Sequence, residues 1–370
     1  MMKINEICTY APKSNIKAGE ATKNGSYMFF TSSSDESKRY CDYQFDGEGI
    51  IMGTGGNATL HYYNGKYGVS TDCVVLLPDK RVNCKYLYYF FLANMQTLEA
   101  GFKGAGLKHT NKNYIGNIEF GDIPSIEKQR QTIEIFDKLS EMIGNRKQQL
   151  QQLDELVKAR FVEMFGSIHD ERFELKSLPE IVFKDKDSIK RGPFGGALKK
   201  DDFVETGYLV YEQRHAIHND FEYEKYYITK EKYDDMIGFK VIPGDLIISC
   251  SGVTLGRIAE VPKGAKEGII NQALLKLSLN QTIMKNTFFI HQFRSKEIQE
   301  ILFGFSRGSG IPNMPSMSEV KTVKFICPPI ELQEKFVAFV EQTDKSKFAV
   351  QQSLDKLETL KKSLMQKYFG

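Results

Sequence analysis

Apolar residues recur every seven positions in two separate stretches. Phe136, Ile143, Leu150, Val157 and Met164 form one row, with Leu139 and Leu153 filling the intervening position and Arg146 and Arg160 interrupting it. Val350, Leu357 and Leu364 form the other, offset by Val340, Leu354 and Tyr368. A heptad with two apolar positions predicts the seam of a paired helix. Each stretch starts just after proline, which suits a first helical turn. Glu127 and Glu331 lie near the positive ends of the helix dipoles. Of the helix breakers, only Gly144 falls inside either stretch. About 40 residues rising 1.5 Å each make a rod of roughly 60 Å.

The two stretches are copies of each other, about 204 residues apart. Aligned without gaps, Pro124, Ile126, Glu127 and Gln129 match Pro328, Ile330, Glu331 and Gln333. Gln148, Leu150, Leu153, Leu156 and Lys158 match Gln352, Leu354, Leu357, Leu360 and Lys362, and Phe165-Gly166 matches Phe369-Gly370. That makes 11 identities in 43 positions, where chance gives two or three. The repeat continues upstream more faintly. Gly47-Glu48-Gly49-Ile50-Ile51 followed by Gly53-Thr54-Gly55-Gly56 resembles Gly244-Asp245-Leu246-Ile247-Ile248 followed by Ser251-Gly252-Val253-Thr254. Gly104-Ala105-Gly106-Leu107 before Asn117-Ile118-Glu119-Phe120 resembles Gly308-Ser309-Gly310-Ile311 before Thr322-Val323-Lys324-Phe325.

The predicted order is globular unit (1–124), helix (125–166), globular unit (167–327), helix (328–370). Within the units, Thr71–Leu77 and Ile242–Ser249 read as buried strands. Tyr86–Met95 and Ile290–Phe303 read as helical, and Asn64-Gly65 and Pro243-Gly244 as turns. The fold class is α+β: two mixed-sheet domains related by pseudo-two-fold symmetry and separated by two long antiparallel coiled-coil helices. The first unit is shorter than the second by nearly 40 residues, which implies that it lacks an insertion.

Composition narrows the chemistry. Hydrophobic residues make up 41% and charged residues 26% of the 370 positions, as in a globular protein. No apolar run is long enough to span a membrane, and Met1-Met2-Lys3-Ile4-Asn5-Glu6 holds no apolar signal core, so a cytoplasmic protein is expected. Cys8, Cys41, Cys73, Cys84, Cys250 and Cys327 are widely spaced and read as buried free thiols, with neither a zinc site nor a disulfide framework. The net charge is only +3, with acids and bases nearly balanced in every segment. That speaks against a tight, autonomous, nonspecific DNA binder, which needs a basic stripe, but is compatible with a reader that shares DNA with a partner.

Catalytic signatures are missing. The one Pro-Pro pair, in Cys327-Pro328-Pro329-Ile330, lacks the Asn or Asp and the aromatic of an amino-methyltransferase loop. No Gly-x-x-x-x-Gly-Lys-Ser/Thr loop occurs, and Gly53-Thr54-Gly55-Gly56 lacks the third glycine of a dinucleotide site. His215 and His218 have a spacing that can hold metal on a helix, but they fall in a strand-loop region with no cysteine nearby. No cofactor and no metal are expected.

Two half-repeats, each closing in Pro-x-Ile-Glu-x-Gln and a long leucine helix, resemble the specificity subunits of type I restriction-modification enzymes. Gly192-Pro193-Phe194-Gly195-Gly196-Ala197-Leu198-Lys199-Lys200 and the stretch from Tyr27 to Gly56 resemble parts of their target-recognition domains. The resemblance implies a non-catalytic subunit whose two domains each read half of a bipartite, gapped target in double-stranded DNA. Its helices would set the gap and dock two methyltransferase (M) subunits, and restriction (R) subunits would join through the resulting M2S complex.

On that reading the expected DNA contacts lie in glycine-marked polar loops. They are Thr54, Asn57, Lys108, His109, Asn111, Lys112 and Asn113 in the first unit. In the second they are Lys190, Arg191, Lys199, Lys200, Arg214, Arg307, Ser309 and Asn313. Lysine neutralises phosphate, while arginine and asparagine can read guanine and adenine edges. Lys147, Gln148 and Gln152 are expected to face an M subunit. The competing readings are a coiled-coil scaffold that binds no DNA, an enzyme whose glycine loops hold a nucleotide, and a specificity subunit of a methyltransferase-only or single-cut system.

Overall fold

The computed structural model describes residues 2–167, 170–304 and 312–370. The chain divides into two compact units, Met1–Leu150 with Ala349–Gly370, and Gln151–Phe348. Four helices organise them: α1 (Cys84–Ala93), α2 (Ile126–Phe165), α3 (Asn286–Phe293) and α4 (Ile330–Phe369). The unit boundary falls inside both long helices, so each unit holds one end of each.

The first unit contains β1 (Met2–Lys3), β2 (Cys8–Tyr10), β3 (Tyr27–Phe30), β4 (Arg39–Tyr40), β5 (Phe45–Gly53), β6 (Leu60–Val69), β7 (Cys73–Pro78) and β8 (Glu119–Gly121). Six of these form one mixed sheet in the order β2-β7-β5-β6-β3-β4, and β1 pairs with β8. Successive residues face opposite sides of a strand. Ile50, Met52 and Leu76 therefore pack with Leu87 and Phe91 of α1, while Ile51, Val75 and Tyr67 build a second core on the other face.

The second unit contains β9 (Glu174–Ser177), β10 (Ile189–Arg191), β11 (Tyr208–Tyr211), β12 (Tyr227–Ile228), β13 (Lys240–Val241), β14 (Leu246–Ser249), β15 (Ile258–Glu260), β16 (Gly268–Ile270), β17 (Leu274–Leu277) and β18 (Lys324–Cys327). Its sheets run β10-β17-β14-β15 and β12-β11-β16-β13, with β9 against β18. This is the order of the first unit with its long hairpin cut in two, β5 matching β13 plus β14 and β6 matching β15 plus β16. The parallel pairs agree as well, β3 with β6 and β11 with β16.

Several expectations need correction. Asn64-Gly65 is not a turn: it lies inside β6, where Gly65 (φ 142°) faces Gly47 (φ 123°) in an unbroken ladder. The glycines permit a kink there, whereas Pro243-Gly244 breaks the second unit at the corresponding place. The upstream repeat is also out of register, by one residue over Gly47–Ile51 and by two over Gly53–Gly56. Ile50 pairs with Leu76 and Leu246 with Leu277 on the helix-facing side, so Ile50 corresponds to Leu246 and Ile51 to Ile247. The segment Ile290–Phe303 is two helices, α3 and Lys296–Phe303, separated where Ser295 caps the second by accepting from the Ile298 N–H. The extra length of the second unit includes helices Gln213–His218 and Lys230–Asp235, which flank β12. Cys41 is exposed, unlike Cys8, Cys73, Cys84 and Cys250.

The long helices pair antiparallel within each unit. In the first, Lys361 Nζ donates to Ser140 Oγ at 2.9 Å, and Phe136 and Leu139 pack with Leu357, Leu364 and Phe369. In the second, Lys347 meets Asp154 at 2.6 Å, and Val157, Phe161 and Phe165 share a core with Phe336 and Val340. The heptad pattern missed Phe161, Phe165 and Phe336, all three buried, and counted Tyr368, which is 39% exposed. The repeat survives in the packing: Phe165 stacks edge-on against Phe288 of α3 as Phe369 tilts against Tyr86 of α1.

The repeated glutamine explains why each long helix starts where it does. Gln129 is fully buried; its Oε1 accepts from the Asn83 N–H at 2.7 Å, and its Nε2 donates to the carbonyls of Arg81 and Pro124 at 2.9 and 2.8 Å. Gln333 repeats all three, accepting from Lys285 N–H at 2.9 Å and donating to Ile283 and Pro328 at 3.0 and 2.8 Å. Asn83 and Lys285 are the N-cap residues of α1 and α3. One side chain thus ties two helix starts together and satisfies backbone groups that burial would otherwise strand.

Replacing Gln333 by Ala leaves three backbone groups without that partner and is expected to cost about 1–3 kcal/mol in urea unfolding; a loss below about 0.5 kcal/mol contradicts the clasp. Gly144 has nothing within 4 Å of an added Cβ and sits mid-helix. Gly144→Ala is therefore expected to stabilise by roughly 0.5–1 kcal/mol in the same measurement.

Candidate nucleic-acid interface

In the first unit β5, and in the second β14, runs into a glycine turn, and a second loop is stitched to it. In the first unit, Thr54 N–H donates to Asp72 C=O, Gly56 N–H to Lys108 C=O, and Thr110 N–H to Thr54 C=O, at 2.8, 2.8 and 3.0 Å. In the second, Cys250 N–H donates to Ala273 C=O, Gly252 N–H to Pro312 C=O, and Met314 N–H to Cys250 C=O, each at 2.8 Å. Gly56 and Gly252 share a left-handed conformation, φ 82° and 80°, which glycine adopts without penalty. Two segments far apart in sequence become one platform, made twice.

The structure brings most of the first unit's candidates onto this platform. Asn57, Lys108, His109, Asn111, Lys112 and Asn113 are exposed. His109 forms backbone bridges to Gly55 and Lys103. Two candidates also build the loops. Thr54 donates its hydroxyl to Asp72 C=O at 2.9 Å, and Asn111 caps the helix Lys112–Gly116 by accepting from Tyr114 N–H at 2.9 Å. Lys112 sits over the Tyr10 ring at 4.9 Å.

In the second unit, Arg191 donates to Asn313 Oδ1 at 3.0 Å and stacks on Phe194 at 5.1 Å. Asn313 bridges to Ser251, which exchanges hydrogen bonds with the Gln213 amide at 3.2 and 3.3 Å. Arg214 follows Gln213, lies over Tyr223 and meets Asp220 at 3.4 Å. Arg191, Asn313 and the Gln213-Arg214 corner therefore adjoin one turn. Lys190 does not: it points to the other face of β10 and pairs with Asp187 at 2.7 Å. Lys199 and Lys200 sit exposed on a separate turn beside Asp202, which accepts from the Lys199 N–H. Arg307 and Ser309 lie outside the described residues. Gln213, Ser251 and Phe194 were absent from the sequence-based set, because only the folded loops show what they touch.

Electrostatics leave the site's thiols inert. Burial pushes Cys250 up to about 12, with Arg191 opposing weakly, and Cys73 up to about 11. His215 and His218 lie on a helix, not in the expected strand-loop region. His215 is buried, accepting from Glu212 N–H at Nδ1 and donating to Tyr223 C=O from Nε2, both at 2.9 Å. Both ring nitrogens are thereby used in structure. Among the described residues no cluster of three or more His, Cys, Asp or Glu could hold a metal, and no helix is long and apolar enough to cross a membrane. On α2, Gln148 and Gln152 are exposed, whereas Lys147 reaches across to Glu358 of α4 at 2.8 Å.

Fold and platforms together define a duplicated α+β protein that presents one built loop pair per repeat. The type I restriction modification DNA specificity domain matches residues 1–155 and 189–361, and the chain belongs to that family. It is 21% identical to the type I restriction enzyme MjaVIII specificity subunit of Methanocaldococcus jannaschii over 337 residues, 85% of this chain and 76% of that protein. The crystal structure of the type I restriction-modification S subunit from M. genitalium is similar across 100% of this chain and 95% of its own, with a TM-score of 0.61 at 15% identity. A structure described for complex assembly and conformational transition of the type I R-M system is similar over 100% and 96%, at 0.58 and 14%.

Neither Gly56 nor Gly252 has an atom within 4 Å of an added Cβ, so alanine at either position should cost only its left-handed backbone, about 1–2 kcal/mol. Gly106 is equally open without a positive φ. Urea unfolding should find Gly252→Ala destabilised and Gly106→Ala unchanged; equal effects would contradict the turn geometry.

Proposed function

We propose that this specificity subunit reads a bipartite, gapped target in double-stranded DNA, one half-site per platform, and carries out no chemistry itself. The recognition domains are residues 1–124 and 167–327, and the helices 125–166 and 328–370 set the gap. Two M subunits dock on the helices, with Gln148 and Gln152 among the contacts, and R subunits join through the M2S complex. The work takes place on cellular DNA in the cytoplasm.

The observation that carries this reading is the duplicated turn-and-loop clasp in a member of a DNA specificity family. A reader needs side chains held rigidly enough to meet base edges, and two copies on one chain suit an asymmetric two-part target. The groups divide naturally: exposed Lys108, Lys112, Lys199 and Lys200 toward phosphate, and exposed Asn57, Arg214 and Asn313 with half-buried Arg191 toward bases, with His109 and Asn113 at the margin. Thr54 and Asn111 support the loops rather than read, and Lys190 turns away from them. Arg307 and Ser309 remain base and phosphate candidates on sequence grounds. Near-neutral charge leaves much of the phosphate contact to partners.

The test is binding by the assembled complex to its target and to duplexes scrambled in one half. Asn57→Ala should cost roughly 1–3 kcal/mol and relax one position of one half-site only. Lys108→Ala should weaken all sequences alike and lower the salt slope by about 1. Equal affinity of the wild-type complex for target and fully scrambled duplex would refute the reading.

A further inference from the structure

The corrected register puts two unlike residues at one position. The clasp equates Thr54 with Cys250, Gly55 with Ser251 and Gly56 with Gly252, because each pair makes the same backbone bonds or bridges. The next residue is Asn57 in the first unit and Val253 in the second. Both are exposed, and Val253 is 97% exposed, the highest among the exposed large hydrophobic side chains of the described residues.

A single exposed valine is unremarkable on an arbitrary surface. This one stands at the tip of a turn held from three sides. Gly252 is hydrogen-bonded to Pro312, Ser251 to Gln213, and Asn313, which lies opposite Ser251 in a backbone bridge, to Arg191. Turn and flanking groups are therefore fixed before any ligand arrives. In the matching place the first unit carries an amide, whose donor and acceptor fit the N7 and N6 edge of adenine. A branched aliphatic group has no such code. What it can recognise in the major groove is the C5 methyl of thymine.

We propose that Val253 is a specificity-determining residue of the second unit and reads a thymine methyl group, at the position where Asn57 of the first unit reads a hydrogen-bonding edge. The proposal rests on the DNA-reading function above. It makes two predictions that the general reading does not: the second half-site contains a thymine read through its methyl, and one residue carries that preference.

The test replaces each thymine of the target singly with deoxyuridine, which keeps base pairing and removes only the methyl. Binding is measured with the complex of this chain and its M subunits. One position in the second half-site should weaken the wild type about fourfold, the value of one buried methyl group. Val253→Ala should bind the thymine and deoxyuridine duplexes at that position within twofold of each other. Val253 packs into no core, so the variant should fold, and an unchanged response to substitutions in the other half-site checks this directly. Val253→Asn should shift that position toward adenine. The proposal is overturned if no thymine in the second half-site is sensitive, or if wild type and Val253→Ala lose equally. A wild-type complex that does not distinguish its target from scrambled DNA refutes the underlying function instead.

Discussion

A buried glutamine at the foot of each long helix holds the architecture together. Gln129 and Gln333 each present an amide to three backbone groups drawn from the preceding domain and the helix entry. In a dry interior those groups have no other easy partner, so the geometry is strongly preferred. The amide couples the start of a long helix to the start of a domain helix, and that domain helix packs on the sheet. The sheet ends in the glycine turn. Each turn is thereby referenced to a long helix through a continuous series of packed elements.

The second level is the clasp between turn and loop. It uses backbone hydrogen bonds almost entirely, which frees side chains at the tip to vary. The two units show the consequence: the same three backbone bonds beneath, but Asn57 above one turn and Val253 above the other. A scaffold that fixes backbone and leaves side chains open can change what it recognises without refolding. Charge fits the same division. Acids and bases nearly cancel across the chain, which on the proposed function leaves the platforms to supply selectivity more than bulk electrostatic affinity.

Helix and repeat were legible in the sequence because both are periodic. The seven-residue recurrence and the ungapped match of Pro-x-Ile-Glu-x-Gln needed no structure. The burial of Phe161, Phe165 and Phe336 was not legible, since it comes from domain helices that pack on the flank of the seam. Asn64-Gly65 misled because a turn-forming pair can also lie within a ladder when a glycine stands opposite. The sheet register slipped by one because Gly47 and Gly244 look alike, although Gly47 sits within a strand and Gly244 ends a turn. That slip hid the pairing of Asn57 with Val253. Of the candidate residues, charged groups on loops were easy to name. Which of them adjoin, as Arg191 and Asn313 do, and which turn away, as Lys190 does, depends on strand parity and loop closure. Lys147 likewise faces the partner helix because the antiparallel pairing brings Glu358 to it.

The most direct test is a modified-base map of the source genome with the gene present, deleted and restored, in cells expressing an active methyltransferase partner. The account predicts that one bipartite motif with a fixed gap loses modification on deletion and regains it on restoration. Unchanged modification at every motif in the deletion strain would contradict it.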